Sequence, residues 1–161
     1  MKLRLIFTSA IVALLAFGCA KKDTATAVVA TPAQPGVRVI ELTGNDAMKY
    51  NMNSIELSVG EEVKVTMTNI GTMPKQAMAH NFVVLKAGSD AAAFSMAAAP
   101  ASATDYIPPA LQDEVIVHTK MLGPKESDTV TLKFAEAGQY PFLCSFPAHF
   151  QVGMKGVITV K

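Results

Sequence analysis

From Val37 onward the chain places apolar residues at every second position. Ile55, Leu57 and Val59 alternate with Glu56 and Ser58; Val63, Val65 and Met67 alternate with Lys64, Thr66 and Thr68; Val130, Leu132 and Phe134 alternate with Thr129, Thr131 and Lys133. Successive side chains of a strand point to opposite faces, so each segment is a half-buried strand that needs a sheet to cover it. Further strands are expected over residues 38–42, 82–85, 115–119, 140–144 and 156–160, separated by turn residues at Gly44-Asn45, Gly60, Asn69-Ile70-Gly71, Gly123-Pro124 and Gly138. Many short strands with such punctuation predict an all-β sandwich or barrel. One stretch breaks the period: residues 89–103 are rich in alanine, with Phe94 and Met96 among them. Ser89 or Asp90 can cap a short helix there and Pro100 would stop it. The alternative is an irregular loop.

The N-terminus is organised differently. Lys2 and Arg4 precede an apolar run over residues 5–17, followed by Gly18-Cys19. A charged start, a short apolar core and a small residue before a cut are the marks of an export signal. The run falls short of the ~20 apolar residues that a membrane-spanning helix needs. Residues 1–18 are therefore expected to be a signal peptide. Leu15-Ala16-Phe17-Gly18-Cys19 resembles a bacterial lipobox, in which Cys19 becomes the first mature residue and carries the lipid. An ordinary signal cleavage near Ala20 is the other reading, and either one exports the domain. Residues 19–36 are small, polar and proline-containing and read as a flexible tether. Fully extended, it spans ~50–60 Å. Residues 37–161 remain for one folded domain.

Charge excludes some functions. Removal of Lys2 and Arg4 with the signal leaves 12 basic residues against 13 acidic ones, so nothing favours nucleic acid as a partner. Cys19 and Cys144 are the only cysteines and stand in unlike contexts, so no disulfide framework is expected.

The chemistry is concentrated near the C-terminus. Cys144, His149 and Met154 put a thiol, an imidazole and a thioether on one loop after the apolar segment Tyr140-Pro141-Phe142-Leu143. A buried cysteine alone is often only a small hydrophobe, and a methionine only core filler. Together with an imidazole they suit copper, which must be held as both Cu(I) and Cu(II) to carry an electron. A second imidazole is needed, and His80, in Met78-Ala79-His80-Asn81-Phe82, supplies it. Two His and one Cys with a weak axial Met make a blue-copper set. The remaining histidine, His118, lies mid-strand opposite Val115 and Val117 in side-chain direction and is expected to face solvent.

In order along the chain, DAMKYNMNSI (residues 46–55), MAHNF (78–82), VIVHTK (115–120), KESDTVTL (125–132), QYPFLCSFPAH (139–149) and MKG (154–156) resemble the azurin and auracyanin branch of the cupredoxins. The resemblance covers residues 41–161. It implies a Greek-key β-sandwich with a flap helix and one type 1 copper held by His80, Cys144, His149 and Met154. It further implies that Asn81 ties the two ligand loops together, that Ala79 and Phe146 lie beside the ligands, and that Phe142 packs nearby. Met73, Ala77, Met78 and Phe150 match a partner-docking patch around the exposed edge of His149. The chain also departs from azurins. Four residues, not three, separate His149 from Met154; Ala79 replaces a glycine; Phe82 replaces a tryptophan; Asn69 replaces a titrating histidine; and the azurin disulfide is missing.

Three functions are compatible with such a donor set. The first is a one-electron carrier, monomeric, working between a redox-protein donor and acceptor on the periplasmic side of a bacterial membrane. The second is an exported copper-delivery protein without redox shuttling; such sites often use Cys-x-x-x-Cys or Met/His clusters, and neither pattern occurs here. The third is a copper oxidase or nitrite reductase, which needs a second copper centre and a longer chain. With Cys and two His given to metal, no nucleophile–base pair is left for catalysis, so no enzymatic activity is expected.

Overall fold

The computed structural model describes residues 36–161. The expected signal peptide, Cys19 and all but the last residue of the expected tether lie outside the described residues. Nine strands form among the described residues: β1 (Arg38–Asn45), β2 (Lys49–Tyr50), β3 (Ser54–Leu57), β4 (Glu62–Asn69), β5 (Val83–Leu85), β6 (Val115–His118), β7 (Ser127–Lys133), β8 (Gly138–Leu143) and β9 (Lys155–Val160). A one-turn helix, α1 (Lys75–Met78), precedes β5, and α2 (Ala91–Ala98) lies between β5 and β6.

The strands divide into two sheets, in the orders β2-β1-β4-β7 and β3-β9-β8-β5-β6. The chain crosses repeatedly from one sheet to the other. The parallel pairs β1 with β4 and β3 with β9 result from these crossings, and the other pairs are antiparallel. The fold is the all-β, Greek-key β-sandwich with a short flap helix that the resemblance implies.

The alternating residues meet between the sheets. Leu42, Val63, Val65, Met67, Phe82, Val84, Leu132, Phe142 and Ile158 are buried in one cluster. Burying a side chain of this size stabilises the fold by about 1.5–3 kcal/mol. Val59 does not join them, contrary to the two-residue period. β3 ends at Leu57, and Val59 is 46% exposed where its N–H bonds the Lys161 carbonyl at the rim.

β5 is buried on both faces, which explains the unbroken apolar run from Phe82 to Leu85. Val84 faces the sandwich interior, while Val83 and Leu85 pack outward with Phe94, Ala98, Ile107 and Leu143. The flap therefore makes a second core. α2 carries Phe94 and Ala98 one turn apart on its buried face and leaves Met96 exposed. Asp90 caps it, its carboxylate accepting from the N–H groups of Ala92 at 2.9 Å and Ala93 at 3.0 Å. The expected helix is thus shorter than the alanine-rich stretch, and its last residues become a 3-10 turn over Ser102–Thr104.

Candidate metal centre

Sheet register brings the expected ligand residues to one end of the sandwich. β5 pairs with β8 so that Val83 faces Leu143, and β8 pairs with β9 so that Leu143 faces Lys155. His80 lies just before β5, Cys144 just after β8 and Met154 just before β9. A bridge to Leu122 fixes His80: its N–H donates to the Leu122 carbonyl at 3.0 Å, and the Leu122 N–H returns a bond at 2.8 Å. The Cys144 N–H donates to the Met154 carbonyl at 3.0 Å and closes the base of the ligand loop. Inside that loop, the N–H of His149 donates to Phe146 and that of Met154 to His149, at 3.2 and 2.9 Å.

Three donor atoms converge. The Nδ1 atoms of His80 and His149 are 3.2 Å apart, and His149 Nδ1 is 3.4 Å from Cys144 Sγ. All the donor atoms of the trio lie within 4.8 Å of one another. Metal–ligand bonds of ~2.0 Å to imidazole and ~2.3 Å to thiolate place donors of one ion ~3–4 Å apart, so the arrangement fits a single ion. His80 and Cys144 are fully buried and His149 is 2% exposed. The expected solvent-facing edge of His149 is thus almost closed, because the Phe146 ring packs 4.8 Å from its centroid.

Met154 is fully buried at the same end. Its methyl group and the His80 ring both lie against Gly44 of β1, where a Cβ would stand 2.7 Å from Met154 Cε and 3.1 Å from His80 Cδ2. A side chain at 44 would take the space these two residues occupy. In the sequence alone Gly44 reads only as a turn residue.

Asn81 joins the two ligand-bearing segments. Its side-chain oxygen accepts from the Ser145 N–H at 2.9 Å, and its amide donates to the Ser145 hydroxyl at 2.8 Å. Ala79 is buried in an ordinary extended conformation with φ −81°, so alanine fits there without strain. Asn69 is a buried strut: its amide donates to the carbonyls of Met78 and Leu122, and its oxygen accepts from the Gly71 N–H. Asp46 holds the neighbouring loop through the Thr72 N–H and hydroxyl, both at 2.9 Å.

Burial dominates the electrostatics. It pushes the Cys144 thiol up to about 12, although N–H groups of Asn81 and Phe146 oppose the shift. It pushes His149 down to about 4, with the nearby His80 acting in the same direction. His80 is also lowered by burial, against the opposing Asn45 carbonyl and Asp46 carboxylate. Its Nε2 is buried without a hydrogen-bond partner among the described residues. Two neutral imidazoles facing a buried sulfur are what a soft cation requires.

Met73 is 40% exposed, Ala77 exposed and Met78 half-buried on the segment before His80. Phe150 is half-buried against the flap core, with Lys155 Nζ 4.0 Å above its ring. His118 is exposed on β6, the edge strand of its sheet, as its alternation with Val115 and Val117 predicts.

The family model for copper-binding proteins of the plastocyanin/azurin family matches residues 38–161. Azurin of Pseudomonas aeruginosa is 35% identical over 126 residues, covering 76% of this chain and 84% of that protein. Outer membrane protein H.8 of Neisseria gonorrhoeae is 36% identical over 119 residues, 72% of this chain and 63% of that protein. Among solved structures, dithionite-reduced auracyanin from the photosynthetic bacterium Roseiflexus castenholzii superposes with a TM-score of 0.68 at 36% identity, covering 76% of this chain and 96% of that one. The sandwich, the buried His80–Cys144–His149 trio and these likenesses agree: the chain belongs to the plastocyanin/azurin family of copper-binding proteins and is an azurin-like cupredoxin with one type 1 copper.

Proposed function

We propose that this protein carries single electrons between two redox proteins, with Met154 completing the ligand set of His80, Cys144 and His149. The buried convergence of three donor atoms within 4.8 Å carries this reading. Bound copper supplies a one-electron Cu(II)/Cu(I) couple that these side chains lack. The chain's own contribution is a dry and fixed frame. His80, Cys144 and Met154 are fully buried, and hydrogen bonds between Asn81 and Ser145 brace the loops on which two of them stand. With the buried cysteine and both buried histidines committed as donors, none is left as nucleophile or base, which supports a carrier rather than an enzyme.

His149 is the one member of the proposed set with any solvent exposure, at 2%, so a partner comes nearest there. Met73, Ala77 and Met78 offer apolar surface on the first ligand segment, and Phe150 adjoins His149 in sequence; these four form the proposed docking patch. The domain works outside the cytoplasm, on the periplasmic side of a bacterial membrane, anchored through a lipid on Cys19. The lipobox-like residues 15–19 support the anchor, and the relative named as an outer membrane protein supports a membrane address.

The visible spectrum and a redox titration of the copper-loaded protein test the proposal. An intense thiolate-to-Cu(II) band with reversible one-electron chemistry is expected. A colourless protein that binds only Cu(I) would replace the carrier with a copper-delivery function.

A further inference from the structure

β2 contains only Lys49 and Tyr50, yet each side chain reaches a backbone carbonyl in a different ligand-bearing segment. The Tyr50 hydroxyl donates to the carbonyl of Asn81, next to His80, at 2.5 Å. The Lys49 ammonium donates to the carbonyl of Val152, between His149 and Met154. Among the described residues, no loop or turn N–H takes either carbonyl. The side chains of β2 therefore supply these bonds.

β2 is itself firmly placed. Its residues pair with Gly44 and Asn45 of β1, the strand that lies against Met154 and the His80 ring. The Asn45 side chain accepts from the N–H groups of Ala47 and Lys49, and Met48 takes the left-handed φ of 53° that closes the turn. On the other side, the Asn51 side chain accepts from the Thr43 N–H at 2.9 Å and donates to the Glu41 carbonyl at 3.1 Å. The Tyr50 ring packs on Phe142, with centroids 5.7 Å apart. The ligand loop is shaped to receive the ammonium: Gly153 has φ 101°, and a Cβ there would stand 2.8 Å from Lys49 Nζ. Residues 150–153 are the stretch in which this chain has four residues rather than three between His149 and Met154.

We propose that β2 is a clasp: Lys49 and Tyr50 are positioning residues that hold the His80 segment and the His149–Met154 segment in register, and so set the reduction potential. The potential half of this inference rests on the electron-carrier reading above. Asn81 and Ser145 join the His80 segment to the start of the Cys144 loop, whereas the clasp reaches the end of that loop, beside Met154. Tyr50 is the stronger partner, because its bond is part-buried whereas that of Lys49 is exposed to water.

Two disrupting variants and one rescue test the clasp in the full chain, with two readouts. Tyr50→Phe removes one hydroxyl and keeps the ring; Lys49→Met removes the ammonium; Lys49→Arg is the rescue. In copper-loaded protein poised at the parent's midpoint potential, Tyr50→Phe is expected to change the oxidised-to-reduced ratio at least threefold. In metal-free protein, backbone amide exchange is expected to rise at least tenfold at Asn81 in Tyr50→Phe and at Gly153 and Met154 in Lys49→Met, with Lys49→Arg restoring the parent rates. Parental ratios and parental exchange in both variants would overturn the clasp. A Lys49→Met shift that vanishes in high salt with exchange unchanged would reduce Lys49 to a distant charge and overturn its role. A parent protein without the intense copper band would refute the electron-carrier reading instead, and exchange in the metal-free protein would still decide whether β2 holds the loops.

Discussion

The Nδ1 atoms of His80 and His149 lie 3.2 Å apart although 69 residues separate them in the chain. Two imidazole nitrogens so close, inside a buried pocket with a thiol sulfur beside them, form a poor arrangement without a cation. Neither imidazole can take up a proton easily there, since burial lowers the pKa of both. The sandwich thus supports a site whose groups are best satisfied together by one metal ion.

Metal uptake is expected to release a proton. The Cys144 thiol, pushed up to about 12, is protonated at neutral pH, while His149, lowered to about 4, is already neutral. A thiolate must form for the sulfur to bind metal, so about one proton leaves per copper bound near pH 7. A weakly buffered titration with a pH indicator measures this. Cys144→Ser should release close to none, and a parent protein that also releases none would contradict the thiolate ligand.

Asn81 is expected to matter for stability even without metal. Asn81→Ala leaves the buried Ser145 N–H without its acceptor, which costs about 1–3 kcal/mol. Ser145→Ala removes only the bond to the hydroxyl and keeps the backbone one, so it should cost less than Asn81→Ala, which removes both. Denaturant unfolding of the metal-free variants and of the double variant checks both values. The two changes should be non-additive by more than about 0.5 kcal/mol, since both remove the bond from the Asn81 amide to the Ser145 hydroxyl. Additive losses would mean that the pair does not join the loops.

The chemistry of the centre was legible because it is local and compositional. Cys144 and His149 lie within one loop, with the proposed fourth ligand Met154 at its end, and the need for another imidazole picked out His80. The strands were legible wherever one face is buried, as in β4 and β7. The signal failed where tertiary contacts decide. Val59 continues the apolar period, but its strand has already ended at the rim. β2 has two residues and so no period to read; Lys49 and Tyr50 matter only because the β1–β2 turn aims them at two distant loops. Gly44 reads as a turn residue until Met154 and His80 are found against it. The lone exposed His118 followed alternation alone.

Asp46 gives the fold a predictable acid response. Its carboxyl is held below the usual value of 3.8, chiefly by the Thr72 N–H; burial, the next largest effect, opposes this, and the Thr72 hydroxyl and Met73 N–H lower it further. A carboxyl with a lowered folded pKa binds fewer protons folded than unfolded, so its stabilisation is complete above 3.8 and is lost as pH falls through the lowered value. Asp46→Asn should therefore lower the melting temperature at pH 7, and the gap to the parent should narrow only below pH 3.8. A gap that stays constant down to pH 2 would assign the loss to packing rather than to the charge.

Gly44→Ala tests how closely β1 approaches the centre. The added methyl would meet Met154 Cε, Met67 Cε and His80 Cδ2 at 2.7, 2.9 and 3.1 Å. Overpacking of this kind costs about 1–3 kcal/mol. Because two of the three neighbours belong to the proposed ligand set, the copper spectrum should change along with the unfolding midpoint. A destabilised variant with a parental spectrum would show that Met154 moves freely without affecting the metal.

The docking patch makes a rate prediction that stability measurements cannot imitate. Met78 is half-buried on α1, two residues before His80, and Met73 on the same segment is 40% exposed. In electron self-exchange two copies must meet with their metal ends together, so a charge placed on that face meets its own copy. Met78→Lys should slow self-exchange at least tenfold at low ionic strength, an effect of about 1.4 kcal/mol on the encounter. Salt should restore part of the rate, because exposed charges are screened over about 10 Å at 0.1 M. The spectrum and potential should hold near parental values, since the Met78 contact with Asn69 runs through the backbone carbonyl and not the side chain. A control lysine at Ile116, exposed on β6 near the flap, should leave the rate unchanged. If both lysines slow exchange equally, net charge and not a local surface governs the encounter, and the patch is wrong.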